Sequence, residues 1–198
     1  MPVSPQPAVP SAVVFDLEFT AWEGSWDSGW NRPGEYKELL QIGAVKVDAG
    51  FGPLAQFDRI VRPRLNSELS GFIQRLIGLS NDDVRTRGVD FVTAYRDFAD
   101  FAEGLPAFSF GRDDRVFADN IRLYGLKDLP LLRYYDLRPW LTAQGIDIVR
   151  PNFHACDVGP AAGVPFRGHQ HNGLADASSV AEGVAALMAR GAPWPGSA

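Results

Sequence analysis

Asp16 and Glu18 stand two positions apart at the end of an apolar run, "AVVFDLEFT". Side chains on a strand alternate, so residues i and i+2 share a face. The two carboxylates therefore converge, and Leu17 turns to the opposite side. Like charges held that close repel unless one takes a proton or a cation lies between them. Acidic residues recur at two later boundaries. "FSFGRDDR" sets Asp113 and Asp114 where a short strand gives way to a helix. "GHQHNGLADASS" sets His171 shortly before Asp176, at the start of the last helix. In open α/β sheets, sites form at strand ends and adjoining helix N-termini. Carboxylates gathered there offer oxygen ligands, which suit a hard cation such as Mg²⁺ or Mn²⁺. The predicted partner of Asp16 and Glu18 is thus a metal ion.

The elements that must position these groups follow from periodicity. "AVVFDLEFT", "ELLQIGAVKVD" and "PLAQFDRIVRP" read as three successive strands in an antiparallel meander, Pro63 closing the third. Between the first two lies a turn-rich insertion, residues 22–34, with three tryptophans. "ELSGFIQRLIGLSNDDVRTRG" and "DFVTAYRDFADFAEGL" carry apolar residues at helical spacing. "PAFSFG" is a short strand, "DDRVFADNIRLYGL" a helix with acids at its start, and "LRYYDLRPWLTAQG" a strand then a helix. "ASSVAEGVAALMARG" is a final helix ended by Gly191. Strands first, then alternating strand and helix, predict an α/β domain with a mixed sheet.

Composition bounds the function. The 198 residues, 45% hydrophobic and 22% charged, fit one globular domain able to bury a core. The expected layout is a flexible tail over 1–10, the domain over 11–192 and a loose C-terminal tail over 193–198. No apolar run reaches the ~18 residues of a membrane span, and "MPVSPQPAVPSA", without a basic or long apolar stretch, is not expected to act as a secretory signal. A single cysteine, Cys156, rules out an intrachain disulfide and a Cys-rich zinc site, and makes the cytoplasm the expected compartment. A net charge of −5 argues against broad coating of duplex nucleic acid. It leaves room for a cleft that grips a few nucleotides, where a metal offsets local carboxylates.

"FDLEFT", "FSFGRDD" and "HNGLADA" resemble, in order and spacing, the three motifs of the DEDDh 3′–5′ exonucleases of the RNase H-like superfamily. "ELLQIGAVKVD" and "LIGLSNDDV" resemble further family segments, and the likeness runs from about Val13 to Arg190. It is strongest to the ERI-like and KinA-pathway-inhibitor-like group. Two departures are Ala175, where the family often doubles an acid, and Phe110, where it usually has Trp. The resemblance implies an RNase H-like fold: a mixed five-stranded sheet, strands one to three antiparallel, helices on both faces. It implies hydrolysis of the 3′-terminal phosphodiester of single-stranded RNA or DNA, RNA slightly favoured, releasing nucleoside 5′-monophosphates. Two divalent ions, Mg²⁺ or Mn²⁺, would be held by Asp16, Glu18, Asp114 and Asp176. Asp16 would bridge both ions and Glu18 would help orient the attacking water. His171 would take the water's proton, a role that suits an imidazole near pH 7.

Other residues carry open alternatives. Asp113 reads as a helix cap or, with the register shifted by one, as the second-motif ligand in place of Asp114. Phe72 and Leu76 could wedge the terminal base or fill core, and Leu17 and Phe19 share that ambiguity, with the backbone beside Glu18 expected to approach the terminal nucleotide. The tryptophans of the insertion could stack bases or pin the insertion as a hydrophobic cluster. His154 and His169 have no assigned role. Two other functions fit the same residues. One is a metal-dependent phosphohydrolase acting on nucleotides or small phosphoesters. The other is a non-catalytic module that binds 3′ ends or a protein.

Overall fold

A computed structural model describes residues 11–196. The expected N-terminal tail, 1–10, and the last two residues lie outside the described residues. Five strands form one sheet in the order β3-β2-β1-β4-β5. These are β1 (Ala12–Phe19), β2 (Leu39–Val47), β3 (Pro53–Ile60), β4 (Pro106–Ser109) and β5 (Arg133–Asp136). β1–β2 and β2–β3 pair antiparallel, as the meander predicts, while β1–β4 and β4–β5 pair parallel. The helices are α1 (Ser25–Ser28), α2 (Gly71–Ile77), α3 (Asn81–Arg87), α4 (Phe91–Ala102), α5 (Asp114–Leu123), α6 (Arg138–Ala143), α7 (Val158–Ala161) and α8 (Gly173–Ala189).

The alternation of β1 divides the core. Val13, Phe15 and Leu17 pack with Phe91, Phe98 and Phe117 from α4 and α5. Ala12 and Val14 face the other way, against Ala177, Val180 and Val184 of α8. β2 is buried along its whole length, as a strand covered on both faces must be. The single helical run read over "ELSGFIQRLIGLSNDDVRTRG" is two helices. Gly78 closes α2 at φ 71, and Ser80 opens α3 with a capping box to Asp83. The C-terminal segment is not loose at Trp194. That ring packs on Phe108 and Phe51, 5.4 and 6.1 Å between centroids. Among the described residues, no helix is long and apolar enough to cross a membrane.

Candidate active site

Asp16 and Glu18 leave β1 on the α8 side, by the same alternation that sends Leu17 into the opposite cluster. The strand does not hold Asp176 beside them; a backbone contact does. Gly43 pairs opposite Asp16 across β1–β2. A Cβ placed on Gly43 would lie 1.9 Å from the amide nitrogen of Leu174 and 2.0 Å from the carbonyl carbon of Gly173. No residue but glycine allows the start of α8 to rest directly on the sheet. The Gly173 N–H donates to Gln41 Oε1 at 3.0 Å, and Gln41 Nε2 donates to Asp58 Oδ1 at 2.8 Å. Asn172 caps the helix by accepting from Ala175 N at 3.1 Å. Asp176, in the first turn, is thereby 3% exposed and set against β1. His171 precedes the cap at φ 60, a left-handed backbone that costs energy for a non-glycine residue. Its N–H donates to Asp176 Oδ2 at 3.2 Å. Ligand atoms of Glu18, His171 and Asp176 all lie within 4.8 Å of one another.

The fourth carboxylate is Asp113, where the resemblance put Asp114. Helix α5 starts at Asp114, so Asp113 takes the cap position and points back toward the sheet end. Its side chain makes no capping hydrogen bond, against the expectation of a simple cap, and its Oδ2 is buried without a partner. Asp113 lines one cleft of about 280 Å³ with Asp16, Glu18, His171 and Asp176. Asp114 does not line that cleft. Arg112 takes it in a two-pronged contact, Nε to Oδ1 at 2.7 Å and Nη2 to Oδ2 at 2.6 Å. Gly111, at φ 117, turns the chain just before the pair.

The electrostatics of the cleft are those of an acid cluster short of positive charge. Burial pushes Asp16 well above the ordinary carboxylate range, and Asp113, Glu18 and Asp176 push it further. Glu18 is raised by burial and by Asp176 and Asp113. Asp113 is pushed up to about 7 by burial and by Asp114, with Arg138 pulling the other way. Asp176 is pushed up to about 7 by burial, against the opposing His171 N–H. Burial, helped by His154 and His169, holds His171 below the usual imidazole value, so it is neutral at pH 7. One oxygen of Asp113 and one of Asp176 are buried and unpaired. Buried polar atoms seldom stay unsatisfied. The donor set, four carboxylates in one cleft, fits hard divalent cations. Cys156 is buried, its thiol pushed up to about 12 by burial and then by Asp176 and Asp157, so it packs and does not attack.

The substrate-side expectations divide. Phe19 lines the cleft, its ring 5.7 Å from Trp30. Leu17 borders it, but its side chain is 4% exposed and belongs to the core. Phe72 and Leu76 do not line it: Phe72 stands behind Trp26, edge-on at 5.9 Å, and Leu76 packs on the cluster under α2 and α3. The insertion resolves into two roles. Trp30 pins it, donating from Nε1 to Thr20 O at 2.9 Å beneath Lys37 Nζ at 4.0 Å. Trp26 is 55% exposed and lines the cleft. Phe110, Phe153 and His154 line it too. Nothing local marks Phe153 and His154 for this site; only the loop after α6 brings them there.

The sequence model of the exonuclease family of RNase T type matches residues 13–183. The chain belongs to the RNase T exonuclease family. Its fold, a mixed five-stranded sheet covered by helices, is that of the solved exonucleases it matches. Among solved structures it is similar to the nuclease domain of 3′hExo, a DEDDh family member bound to rAMP, with TM-score 0.75 and 21% identity over 91% of this chain and 92% of that one. It is similar to cell-death related nuclease 4, TM-score 0.72 and 18% identity, over 91% of this chain and 64% of that one. E. coli exonuclease I in complex with a dA16 oligonucleotide gives TM-score 0.66 and 12% identity, covering 92% of this chain and 42% of that one. The chain also spans 64% of the length of a 3′-exonuclease whose structure concerns 3′-end specific recognition of a histone mRNA stem-loop, at TM-score 0.76 and 20% identity. Against curated proteins the chain finds no match.

Proposed function

We propose that this exonuclease-family domain hydrolyses the 3′-terminal phosphodiester of single-stranded nucleic acid, RNA ahead of DNA, and releases nucleoside 5′-monophosphates. The observation that carries the reading is one cleft holding four carboxylates with raised pKa values, two with orphaned oxygens, beside a neutral imidazole. Asp16, Glu18, Asp113 and Asp176 would hold two divalent ions, Mg²⁺ or Mn²⁺. Bound there, such ions supply Lewis-acid activation of water and stabilise charge on the leaving oxygen. His171 accepts a proton from the attacking water on an imidazole nitrogen, and Glu18 orients that water. The water oxygen bonds to phosphorus, the bond from phosphorus to the penultimate 3′-oxygen breaks, and that oxygen takes a proton from solvent to end as a hydroxyl. Phe19 and Trp26 present aromatic surface to nucleobases, which tolerates any sequence. The ERI-like resemblance favours RNA, and the histone-mRNA 3′-exonuclease among the structural neighbours points the same way.

A 5′-labelled single-stranded oligonucleotide should shorten stepwise from its 3′ end with Mn²⁺, stop in EDTA, and resist when it ends in a 3′-phosphate. Internal cleavage, or activity surviving EDTA, contradicts the reading. The small cleft and net charge of −5 support a second reading, a phosphohydrolase on mononucleotides. The same assay decides for it if only small phosphoesters are consumed.

A further inference from the structure

His171 sits where a ring could easily lose its orientation. The residues just before it, His169 and Gln170, are exposed, and its own backbone is in the left-handed region. Its N–H bond to Asp176 fixes the main chain but not the ring torsions, and χ2 of an imidazole has a broad profile. The ring itself meets another imidazole. His154 packs edge-on against it, 5.2 Å between centroids at 68°. The main chain under His154 is anchored, while its side chain is exposed: its N–H donates to Asp157 Oδ2 at 2.9 Å, and the 3-10 turn Ala155–Asp157 that it opens is buried at Ala155 and Cys156. That turn packs on α8, whose Ser179 Oγ donates to Cys156 O at 2.7 Å. One histidine thus stands on a loop, and the other on a turn tied to the core.

We propose that His154 is a positioning residue whose ring holds the His171 imidazole facing Glu18 and Asp176. The proposal rests on His171 being the general base. A small displacement of a reacting group costs rate steeply, on the order of 10²-fold per ångström. Truncation of His154 should therefore lower turnover and leave substrate affinity alone.

The test is a double-mutant cycle on a single-stranded oligonucleotide with Mn²⁺. His154→Ala should lower kcat about tenfold to hundredfold with KM unchanged. His154→Phe, which keeps a flat ring there, should recover most of the loss. In a His171→Ala background, His154→Ala should cost nothing further. The metal-free protein supplies a readout independent of activity: the His171 ring proton NMR signals should lose their ring-current shift in His154→Ala and regain it in His154→Phe. An unaltered kcat in His154→Ala, a raised KM, an equal loss in the His171→Ala background, or failure of His154→Phe to recover rate overturns the proposal. If the wild type degrades no oligonucleotide, the functional reading falls, and the NMR arm alone decides whether His154 sets the ring.

Discussion

Two buried acidic regions of this molecule differ in their hydrogen bonds. Glu38, fully buried before β2, is saturated. It accepts the N–H groups of Arg64 and Leu65 at 2.7 Å, that of Asn66 at 2.5 Å, and the Tyr124 hydroxyl at 2.5 Å. The cleft at the end of β1 holds more carboxylates and fewer donors. There, Asp113 and Asp176 each keep a buried oxygen with no partner. A buried carboxylate whose every oxygen is matched ties the chain together. Carboxylates that crowd each other unmatched store unfavourable energy that a cation relieves. Burial and charge do not separate structure from function here; satisfaction does.

The contrast can be broken from either side. Asp16→Asn should abolish turnover while the fold survives. His171→Ala should slow turnover on the order of 10²–10⁴-fold with divalent-ion affinity nearly intact, since the carboxylates remain. Steady-state kinetics beside a Mn²⁺ titration reads both. At the other region, Glu38→Ala strands three N–H groups and a hydroxyl, so denaturant unfolding should show a loss on the order of 3 kcal/mol or more, the same with and without metal. A result in which Glu38→Ala retains full stability would undo the claim that saturation marks a structural role.

The seat of α8 gives the next largest effect. Gly43→Ala drives a methyl group into the backbone of Gly173 and Leu174. Overpacking of that kind costs about 1–3 kcal/mol, and turnover should fall with it because Asp176 and His171 ride on the displaced helix start. Thermal unfolding and kinetics on the one variant should move together.

The smallest effect is the most diagnostic. Asp176 is pushed up to about 7 in the folded chain, from an ordinary value of 3.8. The folded state therefore favours its proton, and its contribution to stability is lost as pH rises from about 4 to about 7. Asp176→Asn removes that penalty. In EDTA the variant should melt above the wild type at pH 8, with the gap closing toward pH 4. With Mn²⁺ at pH 8 the order should reverse, because the wild type gains ligand stabilisation that the variant lacks.

Much of the fold and the site follows from the sequence, for physical reasons that differ by residue. Strand alternation alone placed Asp16 and Glu18 on one face and Leu17 on the other. The order of strands and helices predicted the mixed sheet, and motif spacing paired His171 with Asp176. The Asp113–Asp114 pair was not legible, because a helix start decides which neighbour points inward, and helix starts shift by a residue at no cost in pattern. The side-chain grip of Arg112 on Asp114 is the local signal that separates them. Gly43 read as an ordinary strand residue, since its role lies in a contact with a helix far along the chain. His154 and Phe153 reach the cleft only through tertiary packing of an irregular loop. Phe72 and Leu76 sit near the cleft but behind Trp26, a distinction that helical spacing cannot make.

If the unsatisfied carboxylates form the cation site, Asp113 is one of its ligands and Asp114 is not. Calorimetric titration of Mn²⁺ into the metal-free wild type, Asp113→Asn and Asp114→Asn at pH 8 tests it directly. Mn²⁺ should bind the wild type, bind Asp114→Asn nearly unchanged, and bind Asp113→Asn weakly or not at all. Equal binding by wild type and Asp113→Asn, with the loss falling on Asp114→Asn, would contradict it.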